Sequence, residues 1–153
     1  MMMSVQYKRG NIVDDGADVL VNTVNCVKVM GKGVALEFKL RYPEIIQDYN
    51  NACDIGSLVV GGCLLFQLPN QTSIKKRYWA ALATKDHWRY PSKYVWIRSG
   101  LLELAKLASS VGAISIAIPR PGCGNGGLDW DLVRPMVLDT LSSFDLRIYN
   151  GIK

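Results

Sequence analysis

The sequence predicts an α/β sandwich built on a mixed sheet, and three observations carry that reading. Short apolar runs alternate with helix-period segments in the order strand, strand, helix, strand, strand, helix, strand, helix, strand. The run at 113–118 reads as a continuous apolar strand, the kind covered on both faces. Two glycine-rich loops, at 31–33 and 122–127, each follow a strand and precede a helix.

Residues 5–8 make a short first strand, and Gly10-Asn11-Ile12 turns the chain toward the loop at Asp14-Asp15-Gly16. Residues 18–22 are the second strand. A helix starts near Lys32 and carries Val34, Phe38 and Tyr42 at i, i+4, i+8 spacing. Pro43 restarts a helical segment, because its fixed φ suits a first turn. Ile45, Ile46, Tyr49 and Cys53 give that segment an apolar face, and Gly56 stops it. Residues 58–68 and 77–83 read as two more strands, joined by a polar turn at 69–73. Pro91-Ser92 opens the next helix, with Ser92 as candidate N-cap. Ile97, Leu101, Leu104, Ala105 and Ala108 line one face of it, and Gly112 closes it. After the strand at 113–118, a loop over 119–127 leads into a helix over 130–142 with Asp129 as its N-cap. Pro135 lies inside that helix and predicts a kink or a late start. Residues 144–149 are the last strand.

A chain of 153 residues is sized for one domain, 1–153, burying roughly two thirds of its unfolded surface. Hydrophobic content of 49% against 20% charged residues excludes a disordered chain. The N-terminal Met-Met-Met-Ser is not read as a signal peptide, since no apolar run of adequate length follows it. No stretch approaches the roughly 18 apolar residues needed to cross a bilayer. A cytoplasmic monomer with no membrane partner is therefore expected. The net charge of +5 favours an anionic partner. Lys75-Lys76-Arg77, the only basic run, is assigned to a solvated hairpin. Cys26, Cys53, Cys63 and Cys123 form no C-x-x-C pair and no zinc-ligand spacing with the single His87. They are expected to be free, buried thiols, with no metal and no cofactor required.

The stretch at 17–38 organises the rest. A buried strand leaves two asparagines, Asn22 and Asn25, and Gly31-Lys32-Gly33 opens directly into an apolar helix. Bare backbone N–H groups converge at such a helix start, and the helix dipole favours negative charge. One glycine loop is weak evidence, because most such turns bind nothing. Two in the same sense belong side by side at the carboxyl edge of the sheet, where open α/β folds bind ligands. Neither is a Walker A motif, so the pattern points to a pyrophosphate ligand rather than to ATP turnover.

Three stretches also carry a resemblance: NTVNCVKVMGKGVA at 22–35, ATKDHWR at 83–89 and IPRPGCGNGGLDW at 118–130. Together they resemble a macrodomain. More narrowly, they resemble the branch that holds terminal ADP-ribose glycohydrolases and the antitoxin macrodomains that reverse DNA ADP-ribosylation. The similarity spans nearly the whole chain, in the same order. It implies a single three-layer α/β/α macrodomain with a mixed central sheet, and an ADP-ribose site. Asn11 and Ile12 would sit by the adenine; many macrodomains have an acidic residue where Asn11 stands, so base recognition would lean on backbone groups. Asn22 and Asn25 would serve the site, with Asn25 facing the distal ribose. Val29, Met30, Gly31, Lys32, Gly33 and Val34 would wrap that ribose and the phosphates. Pro119, Gly122, Cys123, Gly124, Asn125 and Gly126 would clamp the diphosphate from the other side. Tyr149 would either stack near the adenine or simply pack.

In the glycohydrolase branch a lysine in a Thr-Lys motif after a strand works at the anomeric carbon of the distal ribose, and Thr84-Lys85 matches it. A strand-end lysine beside a phosphate pocket can be partly desolvated, which lowers its pKa and frees an amine nucleophile. On sequence chemistry alone Lys85 reads as a fixed charge for phosphate; the motif assigns it to catalysis. Human-type members pair that lysine with an aspartate in the second loop, where this chain has Gly126. Antitoxin-like members share the glycine and the following Leu-Asp-Trp, here Leu128-Asp129-Trp130, and Asp129 reads as a helix cap. His87 reads as structural or as a rim contact. Trp88-Arg89 reads either as a stacking pair for a nucleobase or as cover for the core edge. Lys28 stands where relatives often have glycine.

Three functions follow as expectations. The first is hydrolysis of ADP-ribose from a modified acceptor, a nucleic acid such as ADP-ribosylated DNA or an acidic side chain. The second is removal of phosphate from ADP-ribose 1″-phosphate. The third is ADP-ribose binding without turnover.

Overall fold

The structure, a computed structural model, describes residues 3–151; Met1 and Met2 of the N-terminal run lie outside it. Strands and helices follow the predicted order, with the helical stretch after the second strand divided into two helices: β1 (Val5–Lys8), β2 (Val19–Val24), α1 (Gly33–Arg41), α2 (Ile45–Asp54), β3 (Cys63–Gln67), β4 (Tyr78–Ala83), α3 (Tyr94–Ser110), β5 (Ser115–Ile118), α4 (Trp130–Thr140) and β6 (Asp145–Tyr149). The strands form one sheet in the order β1-β6-β5-β2-β4-β3. Every neighbouring pair is parallel except β3 and β4, which form an antiparallel hairpin.

Strand alternation divides the core in two. Leu20, Val24, Trp79, Ala81 and Ala83 face one layer, where Phe38 of α1 and Ile45 and Tyr49 of α2 cover them. Val19, Val21, Ala80, Leu82, Ile116 and Ile118 face the other, under Ile97, Leu101 and Leu104 of α3 and Val133 and Val137 of α4. The fold is a three-layer α/β/α sandwich with β2 buried at its centre. Each fully buried large aliphatic side chain contributes about 1.5–3 kcal/mol.

Topology decides where a ligand can enter. From β2 the chain leaves toward β4 and β3, whereas from β5 it leaves toward β6. The connections diverge between these adjacent parallel strands, so a crevice opens at their carboxyl ends. The carboxyl end of β4 lies on the other side of β2 and shares the same edge.

The structure corrects several sequence expectations. The strand expected over 58–68 spans only Cys63–Gln67, because Gly61 takes a left-handed φ of 81° and breaks the extended run. α3 starts at Tyr94 with Lys93 at its N-cap, not Ser92; the Ser92 hydroxyl is buried and unpaired instead. α4 starts on time at Trp130 despite Pro135, and the Asp129 side chain caps it as expected. Arg77 is not part of a solvated run, since its guanidinium donates to the carbonyls of Ala17 (2.9 Å) and Asp15 (2.6 Å). All four thiols are free, and only Cys63 is fully buried. Among the described residues no cluster of three His, Cys, Asp or Glu has metal-ligand geometry, and no helix is long and apolar enough to cross a membrane.

Candidate active site

Three loops meet at the carboxyl edge of β5, β2 and β4. The first, 25–33, is shaped by Asn25. Its Oδ1 accepts from the N–H of Val27 (3.1 Å) and Val29 (3.4 Å), and its Nδ2 donates to the Val29 carbonyl (2.9 Å). The Tyr49 hydroxyl, reaching up from α2, is within hydrogen-bond distance of both Asn25 oxygens, at 2.8 and 2.9 Å. Asn25 therefore spends its side chain on the loop's own backbone. Lys28 holds a left-handed φ of 64° and pairs with Asp54 at 2.8 Å. The loop delivers Gly31-Lys32-Gly33 to the start of α1, whose N-cap, Lys32, makes no side-chain cap. The N–H groups from Gly31 to Ala35 meet no protein acceptor among the described residues. An uncapped helix start of this kind favours an anion.

The second loop, 119–128, is shaped by backbone. Leu128 N–H donates to the Gly122 carbonyl (2.9 Å), Cys123 to Arg120 (3.2 Å) and Gly127 to Gly124 (3.2 Å). Ser92 N–H fastens it from outside through the Gly126 carbonyl (3.0 Å). The N–H groups of Gly124, Asn125 and Gly126 are left without acceptors among the described residues. Gly122 and Gly127 both hold a φ of 77°, which only glycine adopts freely. A methyl group built on Gly126 would collide with the Gly122 carbonyl and the Ser92 hydroxyl, so no carboxylate fits there. The two loops do lie side by side: a methyl group on Gly33 would sit 3.6 Å from the Asn125 side-chain nitrogen.

The third loop follows β4. Thr84 N–H donates to the Val24 carbonyl (3.1 Å) and Cys26 N–H to the Asp86 carbonyl (3.2 Å), which zips it to the start of the first loop. Lys85 extends from this seam and its Nζ donates to the Trp88 carbonyl at 3.3 Å. Burial and the nearby charge of Lys32 both push its pKa below the usual lysine value. Lys85 and Lys32 therefore share one electrostatic neighbourhood.

The remaining residues named from sequence divide into presented and packed. Val29 and Gly31 to Gly33 are exposed, as are Gly124 and Asn125, while Val34 and Cys123 are half-buried. Asn22 and Met30 are buried beneath the first loop, where the Asn22 amide approaches the Met30 sulfur at 3.9 Å. Pro119, Gly122 and Gly126 are buried in the second. Ile12 is buried in a 3-10 turn capped by Asn11, whose Nδ2 also donates to Glu37 of α1 (2.6 Å). Tyr149 is packed at the end of β6: it is 5% exposed and its hydroxyl donates to Asp15 at 2.6 Å. Burial raises the Asp15 pKa, but hydrogen bonds from Tyr149, Arg147 and Ala17 outweigh it and hold the carboxyl below its ordinary value. Asp86 is exposed. His87 is occupied structurally, its Nδ1 accepting from Arg89 N–H at 3.1 Å. Sequence reading missed Tyr49 and Ser92 as supports of the two loops. Tyr49 reads as one more apolar-face residue of α2, and a buried serine leaves no periodic signal.

The mixed, mostly parallel sheet, the crevice at the β2–β5 divergence and the paired glycine loops define a class. The chain belongs to the macro domain family, whose model matches residues 21–137. It is similar to the "DNA ADP-ribosyl glycohydrolase" of Mycobacterium tuberculosis, with 38% identity over 148 residues covering 95% of this chain and 42% of that protein. The chain thus spans about two fifths of that relative's length. The structure of the macrodomain of M. tuberculosis DarG superposes with a TM-score of 0.85 at 38% identity, covering 95% of this chain and 96% of that one. The structure titled Thermosipho africanus DarTG in complex with ADP-ribose gives a TM-score of 0.85 at 28% identity, covering 94% and 41% of the two chains. An "ADP-ribose 1″-phosphate phosphatase" of Lodderomyces elongisporus is 30% identical over 159 residues, covering 96% of this chain and 98% of that protein.

Proposed function

We propose that this chain binds ADP-ribose and hydrolyses the bond between its distal ribose and an acceptor, with Lys85 as the catalytic residue. The observation that carries the reading is the place of Lys85. It stands in the loop that follows β4, the strand next to β2, within the electrostatic reach of Lys32 at the uncapped start of α1. The free N–H groups of both loops take the diphosphate, and its charge is spread over backbone donors. That leaves the distal ribose beside the third loop. A neutral Lys85 amine attacks the anomeric carbon; the acceptor departs with the bonding pair and takes up the proton the amine sheds. Water then cleaves the carbon–nitrogen bond, releasing ADP-ribose and restoring the amine. Similarity to the glycohydrolases supports this reading, and ADP-ribosylated DNA is the first acceptor to test.

Replacing Lys85 by Ala is expected to lower turnover at least about a hundredfold while calorimetry shows ADP-ribose affinity within about threefold. Unchanged turnover sinks the assignment. The lowered pKa adds a sign to the test. Turnover rises with pH as Lys85 loses its proton, with a midpoint below 10.5, the ordinary lysine value. Lys32→Met removes a neighbouring positive charge, so the midpoint moves to higher pH. A midpoint that stays put would show that Lys85 is not the titrating nucleophile.

The phosphatase reading has one specific support, the L. elongisporus relative that matches along nearly its whole length. Lys32 and Lys85 would then hold the 1″-phosphate. Phosphate release from ADP-ribose 1″-phosphate, faster than release of ADP-ribose from any acceptor, would favour it. Tight binding with no turnover of either substrate would reduce the site to a binding module.

A further inference from the structure

The turn that follows Lys85 has more aromatic surface than its own folding explains. Trp88 is 47% and Tyr90 61% exposed, and neither belongs to the two core layers. The rings are nonetheless ordered against one another. His87 lies 5.3 Å from Trp88 and 5.4 Å from Tyr90, centroid to centroid, and the Arg89 guanidinium lies over the Trp88 ring at 4.9 Å. Tyr90 N–H donates to the His87 carbonyl (3.1 Å), Arg89 N–H to His87 Nδ1 (3.1 Å), and Lys85 Nζ to the Trp88 carbonyl (3.3 Å). The turn is held by its own backbone and the His87 ring, and it is tied directly to Lys85. Residues 84–93 carry Lys85, Arg89 and Lys93 against the single acid Asp86.

We propose that the His87-Trp88-Arg89-Tyr90 turn is the docking platform for a single-stranded nucleic-acid acceptor, stacking a nucleobase beside Lys85 while Arg89 and Lys93 meet phosphates. The inference rests on the hydrolase reading of the site and assigns the surface that would hold its acceptor strand. Flat rings and a flat guanidinium offer what a base needs, a π-face and a delocalised cation, whereas an acidic peptide needs only the charge. A base inside a duplex has both faces occupied by its neighbours, so the platform selects unpaired strands.

The test uses the purified chain and a fluorescently labelled, unmodified single-stranded oligonucleotide. Trp88→Ala is expected to weaken its binding about tenfold or more, and Arg89→Gln to flatten the salt dependence of binding by about one released counterion. The same oligonucleotide as a duplex should bind more weakly and ignore Trp88→Ala. Both positions are exposed, so the thermal melts should match the parent's. Turnover gives a second readout: the loss caused by Trp88→Ala on an ADP-ribosylated oligonucleotide should exceed its loss on an ADP-ribosylated nucleoside at least about tenfold. Equal losses on both substrates, or unchanged oligonucleotide binding, overturn the platform. So does a loss confined to ADP-ribosylated peptides, which would make the turn a peptide contact. If the chain binds the strand through Trp88 yet releases no ADP-ribose from it, the platform stands and the hydrolase reading falls.

Discussion

The two glycine-rich loops share a sequence plan, strand then glycines then helix, yet they hold their shape by opposite means. The first is held by side chains: Asn25 and Tyr49 write its path, and Lys28 is anchored to Asp54. The second is held by backbone, with three internal carbonyl bonds and one from Ser92. Their helices differ in the same way. α1 begins with no side-chain cap, whereas the Asp129 carboxylate caps α4 by accepting from Asp131 N–H at 2.9 Å. The first loop thus offers a ligand both loop amides and a helix start, and the second offers loop amides only. Similar glycine patterns do not predict equivalent anion sites; the residue at the N-cap decides whether the helix start is open.

The comparison breaks most readily at the glycines. A methyl group at Gly126 has nowhere to go, because the Gly122 carbonyl and the Ser92 hydroxyl occupy its place. Gly126→Ala is expected to destabilise the fold by about 1–3 kcal/mol and to weaken ADP-ribose binding more than about tenfold. Its counterpart Gly31→Ala meets only Val29 Cγ1 at 3.6 Å, an ordinary contact, and should melt close to the parent. Thermal melts and calorimetry on the pair decide it. Equal effects would mean that the second loop is not the more tightly packed of the two.

The side-chain scaffold of the first loop gives the next effect. Tyr49→Phe removes one buried hydroxyl from the Asn25 oxygens, a loss of about 1–2 kcal/mol. Because the loop's path depends on Asn25, ADP-ribose affinity should fall with it. A variant that loses stability but binds ADP-ribose as the parent does would show that the loop's path survives without its anchor.

The order of elements was legible in the sequence because the core is strictly periodic: Val19 and Val21 alternate with Leu20, and α3 repeats Ile97, Leu101, Leu104 and Ala108 on one face. Element boundaries were less so where glycines intervene. Nothing in the sequence of residues 58–62 says that Gly61 turns left-handed while its N–H still reaches the Ala83 carbonyl. In the site, the glycine loops and Lys85 announce themselves through chain-local motifs. The contacts that set their geometry join distant residues: Tyr49 to Asn25, Ser92 to Gly126, Glu37 to Asn11. Such pairs carry no spacing rule, so a single sequence does not reveal them. Tyr149 is a further case. Its position at the end of β6 left stacking and packing both open, and no local pattern announced that its hydroxyl donates to the buried Asp15 carboxylate.

The smallest expected effect separates the two helix starts most cleanly. Asp129→Ala removes the side-chain cap of α4, which typically costs about 1 kcal/mol, or about 3 °C in the melt of a chain this size. The α4 start is already satisfied by that carboxylate, and its negative charge would repel a phosphate approaching the same N–H groups. Uncapping α4 should therefore leave ADP-ribose affinity within about twofold and turnover unchanged, although Asp129 stands in the same stretch as the second loop. The Tyr94 hydroxyl keeps its bond from the residue-129 N–H (3.1 Å), so the loop's entry into the helix is not released. If affinity instead falls tenfold with the melt barely moved, Asp129 would be acting on the ligand, and α4 would join α1 as a working helix start. If affinity holds but turnover collapses, the carboxylate would be the proton-handling partner that Lys85 lacks in the second loop.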